Sequence, residues 1–113
     1  MNQKFLFVCS ANKQRSKTAE DYFSSIHNEL SFNSAGTNLK ICQKEGTNPL
    51  DTDMLEWADV VLVMEKKHLE IINKNTESKY SKKIIVLNID DIYKYYQKEL
   101  IEILEQKANK YFI

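Results

Sequence analysis

The segment from Cys9 to Ser16 has the residue types and the spacing that capture of a phosphoryl group requires. Five residues separate Cys9 from Arg15, and Ser16 follows the arginine directly. Backbone N–H groups of such a loop can turn inward and bind an anion, and a guanidinium can clamp two phosphate oxygens. The same positive environment favours the thiolate form of a cysteine. A thiolate below a phosphorus atom whose oxygens are held can attack it and form a covalent intermediate. The predicted phosphate-binding residues are Ser10, Ala11, Asn12, Lys13, Gln14, Arg15 and Ser16.

Such a loop can bind a phosphoryl group only where the cysteine lies at the end of a strand and a helix N-terminus adds free N–H donors. Residues 4–9 are a short apolar run, which is typical of a buried strand. Residues 10–15 are polar and predict a loop. Apolar residues recur at intervals of three and four from Ser16 onward, which predicts a helix that begins there. The pattern therefore puts Cys9 at the carboxyl end of a strand and Arg15 just before a helix.

Strand and helix patterns alternate along the rest of the chain. Further strands are predicted at residues 31–35, 60–64 and 84–87, further helices at 49–57, 66–73 and 97–112, and loops at 38–48, 74–82 and 88–96. Three of the four strands are apolar throughout, which is typical of a parallel sheet that helices cover on both faces. We therefore expect residues 1–113 to form a single α/β domain of flavodoxin-like character with a four-stranded parallel sheet. Ligands of such sheets bind beyond the carboxyl ends of the strands.

Composition narrows the possible functions. The 113 residues are 42% hydrophobic and 28% charged, which excludes collagen-like and fully disordered chains. Sixteen basic and sixteen acidic residues cancel, so we expect neither nucleic acid nor a membrane as a partner. The two cysteines are too few for a disulfide framework and lack metal-ligand spacing. We therefore expect a cytoplasmic protein without a metal or another cofactor.

Three motifs resemble the low-molecular-weight protein tyrosine phosphatases, and especially a short bacterial branch of predicted phosphatases. They are FVCSANKQRSKTAE at residues 7–20, SAGT at residues 34–37 and ADVVLVME at residues 58–65. The resemblance implies that Cys9 is the nucleophile, that Arg15 clamps the phosphate and that Ser16 supports the thiolate. It also implies that Asn12 maintains the shape of the loop, and asparagine tolerates the left-handed conformation. Gln14 stands where many members have a second cysteine, so a redox lock within the loop is not expected.

Hydrolysis of a phosphate ester needs an acid that protonates the leaving oxygen and later deprotonates water. The family resemblance extends to Asp91-Ile92-Tyr93, which is similar to an Asp-Pro-Tyr loop that carries the general acid, with Ile92 in place of proline. Asp91 is therefore the predicted acid, and Asp90 is the alternative. Tyr93 is a candidate wall beside a phenyl phosphate, although packing under the loop is an equally good interpretation.

These residues together predict a phosphomonoester hydrolase that forms a cysteinyl-phosphate and most resembles a protein tyrosine phosphatase. Its expected partner is a phosphorylated protein or a small phosphomonoester. Two alternatives stay open from the sequence. The first is an arsenate reductase, which the single additional thiol, Cys42, disfavours because a thiol relay needs more cysteines. The second is a non-catalytic oxyanion-binding module on the same fold.

Overall fold

The computed structural model describes residues 3–112. The strands are β1 (Lys4–Cys9), β2 (Ser31–Gly36), β3 (Val60–Val63) and β4 (Ile84–Val86). The α-helices are α1 (Arg15–Ile26), α2 (Leu39–Glu45), α3 (Thr52–Trp57), α4 (Lys66–Thr76) and α5 (Lys98–Ala108). All strand pairs are parallel and the strand order is β2-β1-β3-β4, which confirms the predicted sheet.

Central strand β1 divides the core because its side chains alternate between the two faces of the sheet. Phe5 and Phe7 are fully buried in one cluster, which α1 and α5 complete. Leu6 and Val8 are fully buried in the other cluster, to which α3 and α4 contribute. Helices therefore cover both faces, as predicted. No helix within residues 3–112 has the length and apolar character needed to cross a membrane.

The largest departure from the sequence prediction is α2, which lies within the stretch that we expected to be a loop at 38–48. The Asn38 side chain caps this helix by accepting a hydrogen bond from the Ile41 N–H at 3.1 Å. Gly46 ends it with φ of 70°, in the left-handed region that glycine adopts freely. The helix has no apolar period because its one buried residue is Cys42. Capping residues therefore indicate this helix where periodicity does not.

Other boundaries shift by a few residues. Helix α1 begins at Arg15 rather than Ser16, and α3 begins at Thr52 because Asp51 caps it through the Met54 N–H at 2.9 Å. Helix α4 continues to Thr76, three residues beyond the prediction. Strand β2 includes Gly36, β4 ends at Val86, and the last predicted helix divides into α5 and a 3₁₀ turn at Asn109–Tyr111.

The candidate site lies where the carboxyl ends of the strands meet. Strand β1 has β2 on one side and β3 on the other, so the chain leaves the sheet in opposite directions beside Cys9. A crevice opens at such a switch point. Gly36 at the end of β2 permits the close approach of the next layer, since a Cβ there would lie 2.5 Å from the Ser10 carbonyl oxygen and 2.6 Å from the Cys42 sulfur.

Candidate active site

The Cys9 sulfur is held by two hydrogen-bond donors. The Asn12 N–H donates to Sγ at 3.2 Å, and Ser16 Oγ lies 3.0 Å from Sγ. Ser16 Oγ already accepts a hydrogen bond from Asn12 Nδ2 at 2.9 Å, so its own proton is free to donate. The other acceptor near that hydroxyl, the Ala35 carbonyl, is farther away at 3.4 Å. A backbone N–H and a hydroxyl thus face the Cys9 sulfur.

Asn12 fixes the curvature of the loop. Its φ is 53°, which is the left-handed conformation that asparagine tolerates. Its side chain is buried, and Nδ2 donates to Ser34 Oγ at 2.8 Å in addition to Ser16. Its Oδ1 accepts a hydrogen bond from the Asn48 N–H at 3.0 Å. One asparagine thus ties the loop to α1, to β2 and to the segment after α2.

The network continues to a carboxylate that sequence reasoning did not assign to the site. Ser34 Oγ donates to Glu20 Oε1 at 2.5 Å. Ser34 Oγ accepts a hydrogen bond from Asn12 and donates one to Glu20, so the directions of these two hydrogen bonds are fixed. The position of Glu20 on α1, one turn after Ser16, was the available signal, but the sequence does not show that Ser34 lies between Glu20 and Asn12.

Arg15 is buried to 2% exposure, and its charge is paired. Its Nη1 donates to Glu65 Oε2 at 2.6 Å and to the Ile89 carbonyl at 2.7 Å. Both bonds use Nη1, so the parallel N–H groups of Nε and Nη2 donate no hydrogen bond within residues 3–112, although the Asp91 carboxylate lies 3.7 Å from Nε. The Glu65 carboxylate has its pKa lowered, first by the hydrogen bond from Arg15. Glu65 therefore stays ionised and anchors the guanidinium.

Backbone donors complete the loop. The N–H groups of residues 13–16 have no hydrogen-bond acceptor within residues 3–112. Those of Arg15 and Ser16 belong to the first turn of α1, where N–H groups have no partner in the helix. The helix dipole adds partial positive charge at the same end. The segment thus offers an anion several free N–H groups.

A cavity of about 170 Å³ opens above this loop. Its lining residues are Cys9, Ser10, Ala11, Lys13, Gln14, Arg15, Ile41 and Asp91. Asp91 is 59% exposed, and its Oδ1 lies 3.7 Å from Arg15 Nε. Among the described residues, neither Asp90 nor Tyr93 lines this cavity, and Tyr93 is half-buried against the core. The geometry thus brings Asp91 rather than Asp90 to the cavity that contains Cys9.

Cys42 and Thr47 support the loop from behind. The Cys42 thiol is fully buried, and its sulfur lies 3.6 Å from the Ala11 carbonyl oxygen. Thr47 Oγ1 donates to the same carbonyl at 2.6 Å. Helix α2 thus packs Cys42 against the loop, which the polar sequence around Cys42 does not indicate. The described residues include no group of three His, Cys, Asp or Glu side chains arranged to hold a metal ion.

His68 is the second residue near the loop that the sequence patterns do not assign to the site. It lies on the first turn of α4 but is completely buried, at 0% exposure. Its Nδ1 accepts a hydrogen bond from the Glu65 N–H at 3.0 Å, and its Nε2 lies 3.0 Å from Ser10 Oγ. The pKa of His68 is lowered to about 4, first because burial penalises the charged ring and then because Arg15 repels it. The ring is therefore neutral near pH 7.

Neutral burial of His68 makes folding stability depend on pH. Between pH 6.5 and about pH 4 the unfolded chain binds a proton at His68 that the folded chain does not bind. Stability from this residue is therefore present above pH 6.5 and is lost as the pH falls through that window. We expect the free energy of unfolding to fall by about 2 kcal/mol between pH 7 and pH 5 from this residue. Urea denaturation at a series of pH values measures this change in the free energy of unfolding.

The matched variants separate this contribution from other titrations. His68→Gln cannot titrate, so its stability is expected to lose this part of the pH dependence. His27→Gln is the control, because His27 is half-buried at the end of α1, far along the helix from the loop, and the wild-type dependence is expected to persist. A His68→Gln protein whose stability falls with pH as steeply as the wild type would contradict the assignment.

Comparisons with known proteins identify the architecture. No protein-family model and no curated protein matches the sequence. Solved structures do match. The tyrosine phosphatase AmsI of Erwinia amylovora shares 25% identity and a TM-score of 0.76, over 99% of this chain and 92% of that chain. YwlE of Bacillus subtilis shares 25% identity and a TM-score of 0.75, over 99% of this chain and 100% of that chain.

A third match has the same fold. The low-molecular-weight protein tyrosine phosphatase SP-PTP of Streptococcus pyogenes has a TM-score of 0.77 over 97% of this chain and 91% of that chain, and its 15% identity supports the fold alone. The resemblance drawn from the three sequence motifs is confirmed. Similarity extends over nearly the whole chain, so the loop from Cys9 to Ser16 is set in the scaffold of these phosphatases.

Proposed function

We propose that this protein is a cysteine-dependent phosphomonoester hydrolase of the protein tyrosine phosphatase type, with Cys9 as nucleophile. One observation carries the proposal: Cys9, whose sulfur lies within hydrogen-bond distance of the Asn12 N–H and the Ser16 hydroxyl, lines the same cavity as Arg15 at the N-terminus of α1. A phosphate dianion fits such a site because donors and positive charge surround it. The structural similarity to the tyrosine phosphatase AmsI supports the same activity, and the similarity to the arginine phosphatase YwlE supports a phosphatase on this scaffold.

The first step forms the cysteinyl-phosphate. The Cys9 thiolate attacks phosphorus in line with the leaving oxygen, so an S–P bond forms as the P–O bond breaks. Arg15 and the loop N–H groups hold the other three oxygens, where negative charge accumulates. The carboxyl group of Asp91 gives its proton to the leaving oxygen, which departs as an alcohol. A mutant of the YwlE arginine phosphatase with a phosphorylated active-site serine supports a phosphoenzyme at this position.

The second step releases phosphate. A water molecule attacks phosphorus opposite the sulfur and gives a proton to the Asp91 carboxylate, which restores the acid. The S–P bond breaks, and the Ser16 hydroxyl and the Asn12 N–H stabilise the returning thiolate. Ser16 and Asn12 thus stabilise the thiolate that is the leaving group of this step. Inorganic phosphate then leaves the cavity.

The mouth of the cavity favours a phenyl phosphate as substrate. Ile41 of α2 is 39% exposed and lines the cavity, so it offers an apolar surface to an aromatic ring. Lys13 lies at the same mouth and pairs with Glu45 of α2 at 3.4 Å. Its cation disfavours a positively charged leaving group such as a guanidine. We therefore propose phosphotyrosine rather than phosphoarginine as the substrate class, with small aryl phosphates as surrogates. The expected role of Tyr93 as a wall is not part of this proposal, because Tyr93 packs against the core and is not among the described residues that line the cavity.

Metal-independent turnover is the first test of the function. Arg15 and the free N–H groups supply the positive charge that a metal ion supplies in other phosphatases. Wild-type protein is therefore expected to hydrolyse an aryl phosphate at the same rate with and without a chelator such as EDTA, and vanadate is expected to inhibit it. The assay follows release of the phenol. Loss of activity on chelation, restored by a divalent ion, would contradict this mechanism.

The mechanism also bears on the cellular compartment. Cys9 acts only as a free thiol, and both Cys9 and Cys42 are free in the structure. A reducing compartment keeps thiols in this state. We therefore propose that the protein works in the cytoplasm.

A further inference from the structure

The tautomer of His68 follows from one backbone contact. The Glu65 N–H can only donate, and it lies 3.0 Å from His68 Nδ1. Nδ1 must therefore carry a lone pair, and the proton of the neutral ring must be on Nε2. Burial and the repulsion by Arg15 keep the ring neutral, since they lower the pKa of His68 to about 4.

This tautomer fixes the role of the Ser10 hydroxyl. His68 Nε2 lies 3.0 Å from Ser10 Oγ, and because Nε2 bears the proton, the serine oxygen accepts the hydrogen bond. The hydroxyl proton of Ser10 is then left without an acceptor anywhere in the described part of the chain. A serine hydroxyl whose lone pair is occupied has fewer rotor positions, so its proton is directed away from the imidazole.

Ser10 lies where its hydroxyl proton can reach a ligand in the cavity. Ser10 follows the nucleophile directly in the sequence and lines the same cavity as Cys9 and Arg15. His68 is rigidly held, because it is buried on α4 and its other ring nitrogen is bonded to Glu65. Glu65 also anchors Arg15, so the loop and the guanidinium are aligned through the same few side chains.

We propose that the Ser10 hydroxyl is a further oxyanion-binding group of the cavity, and that His68 is the positioning residue that directs the hydroxyl proton toward the bound phosphoryl oxygens. The inference rests on the proposed function. It adds the Ser10 hydroxyl to the backbone N–H groups that bind the phosphoryl oxygens. Hydrogen bonds from a neutral donor to a charged acceptor are among the stronger ones in proteins. A hydrogen bond from one preoriented hydroxyl is therefore expected to contribute substantially to the affinity for phosphate.

Binding of inorganic phosphate tests the proposal without requiring turnover. We expect Ser10→Ala to raise the Kd for phosphate, measured by calorimetry at pH 7, by about tenfold. Ser24→Ala is the matched control, since Ser24 is exposed on α1 away from the cavity, and wild-type affinity is expected. Ser10→Ala protein that binds phosphate as tightly as the wild type would overturn the proposal.

Two His68 variants separate positioning from a structural role. His68→Asn keeps an oxygen near the place of Nδ1 for the Glu65 N–H, but its shorter side chain cannot donate to Ser10. His68→Gln retains an N–H donor at a length closer to that of Nε2. We expect His68→Asn to fold with a thermal midpoint near that of the wild type and to bind phosphate about as weakly as Ser10→Ala. Partial recovery of affinity is expected in His68→Gln.

The double variant is decisive. If His68 acts through the Ser10 hydroxyl, adding His68→Asn to Ser10→Ala weakens phosphate binding no further. A double variant whose Kd for phosphate rises by the product of the two single effects would overturn the positioning role of His68. The outcomes are distinguishable from failure of the proposed function: wild-type protein that binds phosphate but hydrolyses no aryl phosphate contradicts the function, while the comparison of the variants still tests Ser10 and His68.

Discussion

Replacing Cys9 by serine is expected to reduce hydrolysis of an aryl phosphate by at least about 10⁴-fold. A serine alcohol at this position remains protonated near neutral pH and is a much weaker nucleophile than a thiolate. The two donors that face the sulfur, the Asn12 N–H and the Ser16 hydroxyl, stabilise an anion that the serine does not supply. The substitution removes little volume, so folding and phosphate binding are expected to persist. Steady-state kinetics with matched protein concentrations measure the loss.

The control for this variant is Cys42→Ser. Cys42 is buried like Cys9, but its sulfur faces carbonyl oxygens of the loop and the segment after α2 rather than the cavity. Its replacement is therefore expected to leave most of the activity, although the loop loses a packing contact. Turnover that survives in Cys9→Ser, or that disappears only in Cys42→Ser, would exclude Cys9 as nucleophile.

The second large effect is expected for Asp91→Asn, and it depends on the leaving group. An asparagine cannot give a proton to the departing oxygen, so esters of weakly acidic alcohols are expected to react about 10²- to 10³-fold more slowly. Esters of acidic phenols leave without that proton and are expected to be affected much less in the first step. A series of aryl phosphates with phenols of graded acidity measures the difference. The slope of rate against leaving-group acidity is expected to become steeper in the variant.

Asp90→Asn is the matched control, because Asp90 is exposed next to Asp91 but does not line the cavity among the described residues. We expect it to keep the wild-type slope. Equal lowering of kcat/KM for all esters by Asp91→Asn would remove Asp91 as the acid, because kcat/KM reports the first step, whereas kcat also includes the second step. A steeper slope in Asp90→Asn instead would transfer the role to Asp90.

Much of the fold follows from local patterns in the sequence. The apolar runs that became β1 and β3 have no alternation, and only a sheet covered on both faces buries every residue of such a run. The helix after Ser16 follows from a period that α1 retains through Phe23. These signals depend on neighbouring residues alone, and they put Cys9 and Arg15 at the correct edge of the sheet.

What the sequence could not predict depends on contacts between distant segments. Helix α2 has one buried residue, Cys42, which packs against the loop after β1, more than 30 positions earlier. His68 likewise contacts Ser10, which is 58 positions away. The ion pair between Arg15 and Glu65 spans 50 positions. No spacing rule connects such residues, so their roles become visible only in the folded chain.

The most direct test of the account is to trap the covalent intermediate. Asp91→Asn is suited to this, since it removes the base that activates water for the second step while an acidic phenol still leaves in the first. We expect rapid acid quenching with such an ester, followed by mass spectrometry of the digested protein, to find one phosphoryl group on the peptide that contains Cys9. Turnover with an unmodified Cys9 peptide, or with the phosphoryl group on another residue, would contradict nucleophilic catalysis by this thiolate.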